Sequence, residues 1–247
     1  ETFDPKYIYL VQGDGASVVP ALMHHFRFNH VFYTGSTAVG KLIYEMAAKQ
    51  LVPVTLELGG RSPCVVEQDA DIKIAARRIA LTKFSNAGQM CVAPDYVLVH
   101  HSQKEALVQA LQQTIEQFFT TDPSTSSSYG RIINEKQFYR LLKYLDHGTV
   151  VYGGKYDVAT NYLAPTLLTD VDVDTAVMGD EIFGPLLPIL SFKTFDEARA
   201  IINRNPSPLA SYVFTQSRQL EQQWLQGVPF GGGWVNNASW DLTNPRL

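Results

Sequence analysis

His30-Val31-Phe32-Tyr33-Thr34-Gly35-Ser36-Thr37-Ala38-Val39-Gly40-Lys41-Leu42-Ile43, with Val54-Thr55-Leu56-Glu57-Leu58-Gly59-Gly60 a few residues on, is the stretch that decides the fold. His30–Thr34 is a β-branched and aromatic run closed by Gly35. From Thr37 the apolar residues Val39, Leu42, Ile43, Met46 and Ala47 recur at helical spacing, and Lys49 stands where the helix dipole favours a cation. Val54–Leu58 is a second strand-like run, broken by two glycines. Strand, helix and strand joined by short connections imply a right-handed crossover and a parallel sheet.

The same alternation extends in both directions. Upstream, Tyr7–Val11 reads as a strand and Ser17–Phe26 as a helix, with Pro20 confined to its first turn. Downstream, Pro63–Val66 predicts a strand, and Ile72–Phe84 a helix with Asp71 as N-cap. Asn86–Cys91 is then a loop, Tyr96–His100 a strand and Gln103–Phe119 a long helix. The polar run from Thr120 to Ser128 reads as a surface loop, because the alternation resumes beyond it. Helices near Glu135–Leu145, Phe195–Ile202 and Arg218–Gln226 alternate with strands near Val150, Pro165–Leu168, Pro188–Phe192 and Ser211–Phe214. The expected class is α/β, an open, mostly parallel sheet with helices on both faces.

Composition narrows the partners. The 247 residues carry 20 basic and 24 acidic side chains, a net charge of −4, too balanced for a surface built to neutralise nucleic-acid phosphates or anionic lipid. A small-molecule partner is expected instead. The two cysteines, Cys64 and Cys91, are too few for a disulfide scaffold and point to a reducing, cytoplasmic setting. No apolar run approaches the roughly 18–20 residues that span a bilayer, and Glu1–Asp4 does not resemble a signal peptide.

Several constellations could carry chemistry. Gly35–Lys41 lies between a strand and a helix, where backbone N–H groups and the positive helix end suit a phosphate. Leu42 stands where a P-loop needs Ser or Thr, which disfavours a metal-bound triphosphate; a dinucleotide pyrophosphate and an ordinary glycine-closed turn both stay open. Glu57, between Leu56 and Leu58 and ahead of two glycines, is expected to be partly desolvated in a pocket rather than an edge-strand acid facing water, which would suit it to general-base work. Cys91 follows a Gly-Gln turn; it is either a nucleophile activated by its surroundings or a buried structural thiol. Cys64, within a strand, reads as structural. The six histidines show no metal-ligand spacing, so no metal is expected. In Gly179–Pro185 an acid could accept hydrogen bonds from a ribose diol, or the segment is a solvated turn with Phe183 tucked into the core.

Taken together, Phe32–Gly40, Leu56-Glu57-Leu58-Gly59-Gly60-Arg61-Ser62-Pro63, Phe84-Ser85-Asn86-Ala87-Gly88-Gln89-Met90-Cys91 and Glu181-Ile182-Phe183-Gly184-Pro185 resemble, in order, the motifs of the NAD(P)-dependent aldehyde dehydrogenase superfamily. Cys91–Val97 is most similar to its class 3 branch. The resemblance implies that Cys91 attacks an aldehyde carbonyl to give a thiohemiacetal and, after hydride transfer to NAD or NADP, a thioester, with its own backbone N–H holding part of the oxyanion. It implies that Glu57 activates the hydrolytic water, and that Gly35, Ser36, Thr37, Ala38, Val39 and Gly40 pack on the cofactor. Glu181 would take the nicotinamide ribose hydroxyls and Phe183 border the ring. Residues 1–58 would be the C-terminal part of a Rossmann-like cofactor domain, and 59–247 a C-terminally truncated catalytic domain. The expected whole is a homodimeric parent enzyme, this chain being a fragment of it. The alternatives are a catalytically incompetent fragment and a cysteine-dependent esterase. Arg61 departs from the family pattern, where Lys is more usual.

Overall fold

The computed structural model describes residues 3–4, 6–205 and 207–238, and the chain divides into two compact units, Glu1–Gly59 and Gly60–Leu247. In the first, helix α1 spans Gly15–His25, strand β1 Val31–Gly35, helix α2 Thr37–Ala48 and strand β2 Val54–Leu58. β1 and β2 pair in parallel, from Val31 opposite Val54 to Gly35 opposite Leu58. The hydrophobic positions of α2 close this small unit, where Ala47 packs with Met23 and Val52 in a core flanked by Val31, Met46 and Val54.

Two expectations fail here. Tyr7–Val11 is not a strand; its side chains are 43–87% exposed, and the Tyr7 and Ile8 N–H groups donate to the Asp4 carbonyl in a local turn, at 2.9 and 3.2 Å, rather than to a ladder that a β-branched run could join. Pro20 lies inside α1, beyond the first turn. It removes one helical hydrogen bond there, which the helix tolerates near the surface.

The second unit runs β3 (Pro63–Val66), α3 (Ile72–Phe84), β4 (Tyr96–His100), α4 (Lys104–Phe119), α5 (Glu135–Leu142) and β5 (Thr149–Tyr152). It continues with β6 (Tyr156–Asp157), β7 (Tyr162–Leu163), β8 (Thr166–Thr169), α6 (Ala176–Gly179) and β9 (Leu186–Phe192). Last come α7 (Phe195–Ile202), β10 (Ala210–Phe214), α8 (Arg218–Gly227) and β11 (Gly232–Val235). Among the described residues these strands form a seven-stranded sheet of order β11-β10-β3-β4-β9-β8-β5, and a separate pair, β6 with β7. Every neighbouring pair in the large sheet is parallel except β5 with β8. All residues of β3 and β8, and six of seven in β9, are buried. Because successive side chains point to opposite faces, the sheet is covered on both. This is the α/β architecture that the alternation implied.

Register then sets where the chemistry can gather. Pro63 lies opposite Tyr96 and Val97 opposite Ile189, so β3, β4 and β9 all start at one edge of the sheet. The segments leading into them, Gly60–Ser62, Cys91–Asp95 and Glu181–Pro185, are thereby brought to the same amino-terminal edge.

Candidate active site

Cys91 sits at the corner of a tight turn closed by a hydrogen bond from Ala93 N–H to the Met90 carbonyl, 3.1 Å. It is a free, half-buried thiol, whereas Cys64 is a free thiol with no exposure at all. Burial pushes the Cys64 thiol well above its usual range, which keeps it protonated and inert. The nucleophile reading of Cys91 is thus sterically open, and Cys64 is the structural cysteine expected.

The backbone before Cys91 is unusual. Asn86, Ala87 and Gly88 have φ of 49°, 53° and 74°, three successive residues in the left-handed region that only glycine enters freely. Gly88 is required there for a second reason. A Cβ would lie 2.2 Å from the Gly184 carbonyl oxygen, so the thiol loop and the Glu181–Pro185 turn are in backbone contact. Gln89 pins the loop from the other side: its side-chain amide donates to the carbonyls of Asn86 at 2.9 Å and Arg131 at 3.0 Å, and its carbonyl oxygen accepts from Ile133 N–H at 2.9 Å. Tyr212 on β10 donates to the Val92 carbonyl at 2.5 Å. Such strain persists only where surrounding contacts over-determine it.

Four ionisable groups that the sequence reading did not assign to the site lie beneath this loop. Asp95 accepts from Arg61 Nε at 2.5 Å, both side chains being 3% exposed, and its other oxygen accepts from Ile182 N–H at 2.9 Å. One carboxylate therefore ties together the lead-ins to β3, β4 and β9. The Arg61 guanidinium lies over the Tyr96 ring, 5.1 Å from its centre. Lys83, at the end of α3, is wholly buried; desolvation lowers its pKa to about 8 against the opposing pull of Asp95. Arg140 on α5 donates to the carbonyls of Glu181 at 3.3 Å and Ile182 at 2.6 Å. No spacing rule could pair Arg61 with Asp95 across 34 positions. For Lys83 the only signal was its place on the apolar face of α3, where a cation needs a reason to be.

Glu181 itself is half-buried. Its pKa rises to about 7, first through desolvation and then through Asp95, opposed by a hydrogen bond from the Gly60 backbone and by Lys83 and Arg140. Phe183 is not tucked into the core; it is 40% exposed, and Ile182 fills the core instead. Its φ of 45° explains the swap, because the left-handed turn rotates the ring outward and Ile182 inward.

In the first unit, Ser36 caps α2 through its hydroxyl, which accepts from Val39 N–H at 3.4 Å. Ser36, Thr37, Ala38 and Val39 are exposed while Gly40 is buried. A Cβ on Gly40 would come 2.8 Å from the Leu58 side chain, so glycine lets α2 sit close on β2. Glu57 is exposed within its unit rather than desolvated, a correction to the pocket expected for it. Among the described residues, no group of three or more His, Cys, Asp or Glu could hold a metal ion, and no helix is long and apolar enough to cross a membrane.

A parallel α/β sheet with a half-exposed thiol in a strained, clamped loop at its amino-terminal edge is the class that fold and site define. The sequence profile of the Aldehyde dehydrogenase family matches residues 2–245, and the chain belongs to that family. It is 45% identical over 249 residues to 4,4'-diaponeurosporen-aldehyde dehydrogenase of Staphylococcus aureus, covering 100% of this chain and 54% of that protein. It is 43% identical over 250 residues to the dimeric NADP-preferring aldehyde dehydrogenase of Rattus norvegicus, covering 100% of this chain and 55% of that one. A solved structure described as the substrate-bound state of Staphylococcus aureus AldH superposes with a TM-score of 0.95 at 45% identity, over 100% of this chain and 54% of that chain. The chain spans about half the length of the curated relatives it matches.

Proposed function

We propose that the complete protein oxidises an aldehyde to a carboxylic acid with NAD or NADP, Cys91 being the nucleophile. The observation that carries this is the contrast between the two thiols of a family member: Cys91 stands at a turn corner in a loop held by Gln89 and Gly88, and Cys64 is sealed in a strand. Cys91 Sγ adds to the aldehyde carbonyl to form a thiohemiacetal, whose oxyanion the Cys91 backbone N–H helps to hold. NAD or NADP, when bound, would supply the hydride acceptor that converts the thiohemiacetal into a thioester on Cys91. Glu57 then removes a proton from the water that hydrolyses it.

The residues present fit a dinucleotide. The exposed Ser36–Val39 turn opens α2 at its positive end, as a pyrophosphate requires, and buried Gly40 keeps that helix close to its sheet. Glu181, ionising near neutrality, accepts hydrogen bonds from two ribose hydroxyls once deprotonated, and exposed Phe183 borders the nicotinamide. In this proposal residues 1–58 are the end of the dinucleotide-binding domain and 59–247 belong to the catalytic domain. The complete protein is a homodimer, as the name of the dimeric rat relative suggests.

The test is Cys91→Ala in the complete protein. Formation of NADH or NADPH from a panel of aldehydes should fall by about 10³-fold or more, and Cys64→Ala should leave it within about twofold. Cofactor reduction that survives Cys91→Ala would refute the assignment.

A further inference from the structure

The Glu181–Ile182 backbone is held by side chains from two directions. On one side the Asp95 carboxylate accepts from the Ile182 N–H. On the other, the planar guanidinium of Arg140 reaches two successive carbonyls, Nη1 to Glu181 and Nη2 to Ile182. Its remaining contacts fix the fork in place: Nε donates to Gln137 Oε1 at 2.7 Å, Nη1 also to the Tyr144 hydroxyl at 3.3 Å, and the group lies over the Tyr144 ring. A cation needed only to complement the C-terminal end of α5 would not have to satisfy two carbonyls of a neighbouring turn. Two parallel donors on adjacent carbonyls are a demand that Arg meets and the single ammonium of Lys does not.

We propose that Arg140 is a positioning residue for cofactor binding: its guanidinium locks the Glu181–Ile182 backbone so that the Glu181 carboxylate is presented, ionised, to the ribose hydroxyls. The proposal rests on the assignment of Glu181 to the ribose made above. It adds that affinity is set from α5 by a residue that does not touch the cofactor. The groups facing Glu181 are Asp95, which disfavours its ionisation, and Lys83, Arg140 and the Gly60 N–H, which favour it. Removing the Arg140 charge therefore moves Glu181 ionisation, and any binding that needs the carboxylate, to higher pH.

The experiment titrates NAD and NADP, between pH 6 and 9, into the complete protein and its Arg140→Met, Arg140→Lys and Glu181→Gln variants, with a thermal melt of each. Arg140→Met should weaken binding about 10-fold or more at pH 7, the usual worth of hydrogen bonds from a charged donor, and shift the pH midpoint of binding upward. Arg140→Lys, with charge but no fork, should weaken binding and leave the midpoint in place. Glu181→Gln should weaken binding and flatten the pH dependence. If Glu181→Gln binds like wild type, the ribose assignment falls and this inference with it. If Glu181→Gln is impaired but Arg140→Met keeps wild-type affinity, or loses affinity with no movement of the midpoint, Arg140 is only structural and the inference alone is overturned. Should Arg140→Met not fold, Arg140→Lys decides: wild-type affinity there removes the need for the fork.

Discussion

Two thiols in one chain make an internal control at the residue scale. Cys64 has no exposed surface and a thiol made more basic by burial; Cys91 is half-buried at the corner of a turn. Brief alkylation at pH 7 followed by peptide mapping should label Cys91 at least tenfold faster, and faster labelling of Cys64 would be incompatible with the geometry. Glu181 gives a second residue-level prediction, with a sign opposite to most carboxylates. Its pKa is raised in the folded state to about 7, so its contribution to stability is fully present below its unfolded value, near 4.5, and is lost as pH rises through 7. Glu181→Gln should therefore raise the melting temperature by about 2–4 °C at pH 8 and leave it unchanged at pH 4. A variant less stable than wild type at pH 8 would contradict this. Cys91 and Glu181 were both legible as candidates from residue type and local pattern. Arg61, Asp95 and Arg140 were not, because their meaning lies in partners 34 to 87 positions away.

At the scale of elements, the site is a consequence of parallel register. β3, β4 and β9 begin at one edge, and the three segments before them are cross-tied by Asp95 and by the contact of Gly88 with Gly184. The carboxyl ends of β3 and β10 lead into a polar network of their own: Trp224 donates to Glu67, and Thr215 and the Gln216 N–H donate to Asp69. Gly88→Ala is the sharpest test of the cross-tie. It combines a left-handed φ with a clash against backbone that cannot swing aside, and should cost about 2–4 kcal/mol in urea unfolding. A cost below about 0.5 kcal/mol would show that the loop is free to move. Most elements were readable from periodicity, including α3 with its Asp71 cap, which accepts from Lys73 and Ile74 N–H. β11 was not, since Gly231-Gly232-Gly233 shows neither the β-branched run nor the alternation that marks a strand. The structure shows why glycine is tolerated in that strand: a Cβ at Gly233 would lie 2.6 Å from the Phe230 ring, so aromatic packing occupies the space a side chain would need. Tyr7–Val11 failed in the opposite sense, its strand-like composition having no ladder to enter.

For the whole molecule, the unit Glu1–Gly59 exposes Tyr7, Ile8, Tyr9, Leu10 and Phe32, an apolar surface of the kind that drives association. The 247-residue chain should self-associate through it at micromolar concentration in light scattering. A chain that stays monodisperse at that concentration would contradict this. Chemistry on one sulfur is tested most sharply by rapid mixing of the complete protein carrying Glu57→Gln with an aldehyde and NAD or NADP, followed by mass analysis of the Cys91 peptide. Nucleophilic attack by Cys91 with Glu57 as the base predicts a burst of reduced cofactor close to one per site, an acyl group on Cys91, and steady turnover slowed by about 10²–10⁴-fold. Unslowed turnover, or a burst with no acyl group on the Cys91 peptide, would contradict it.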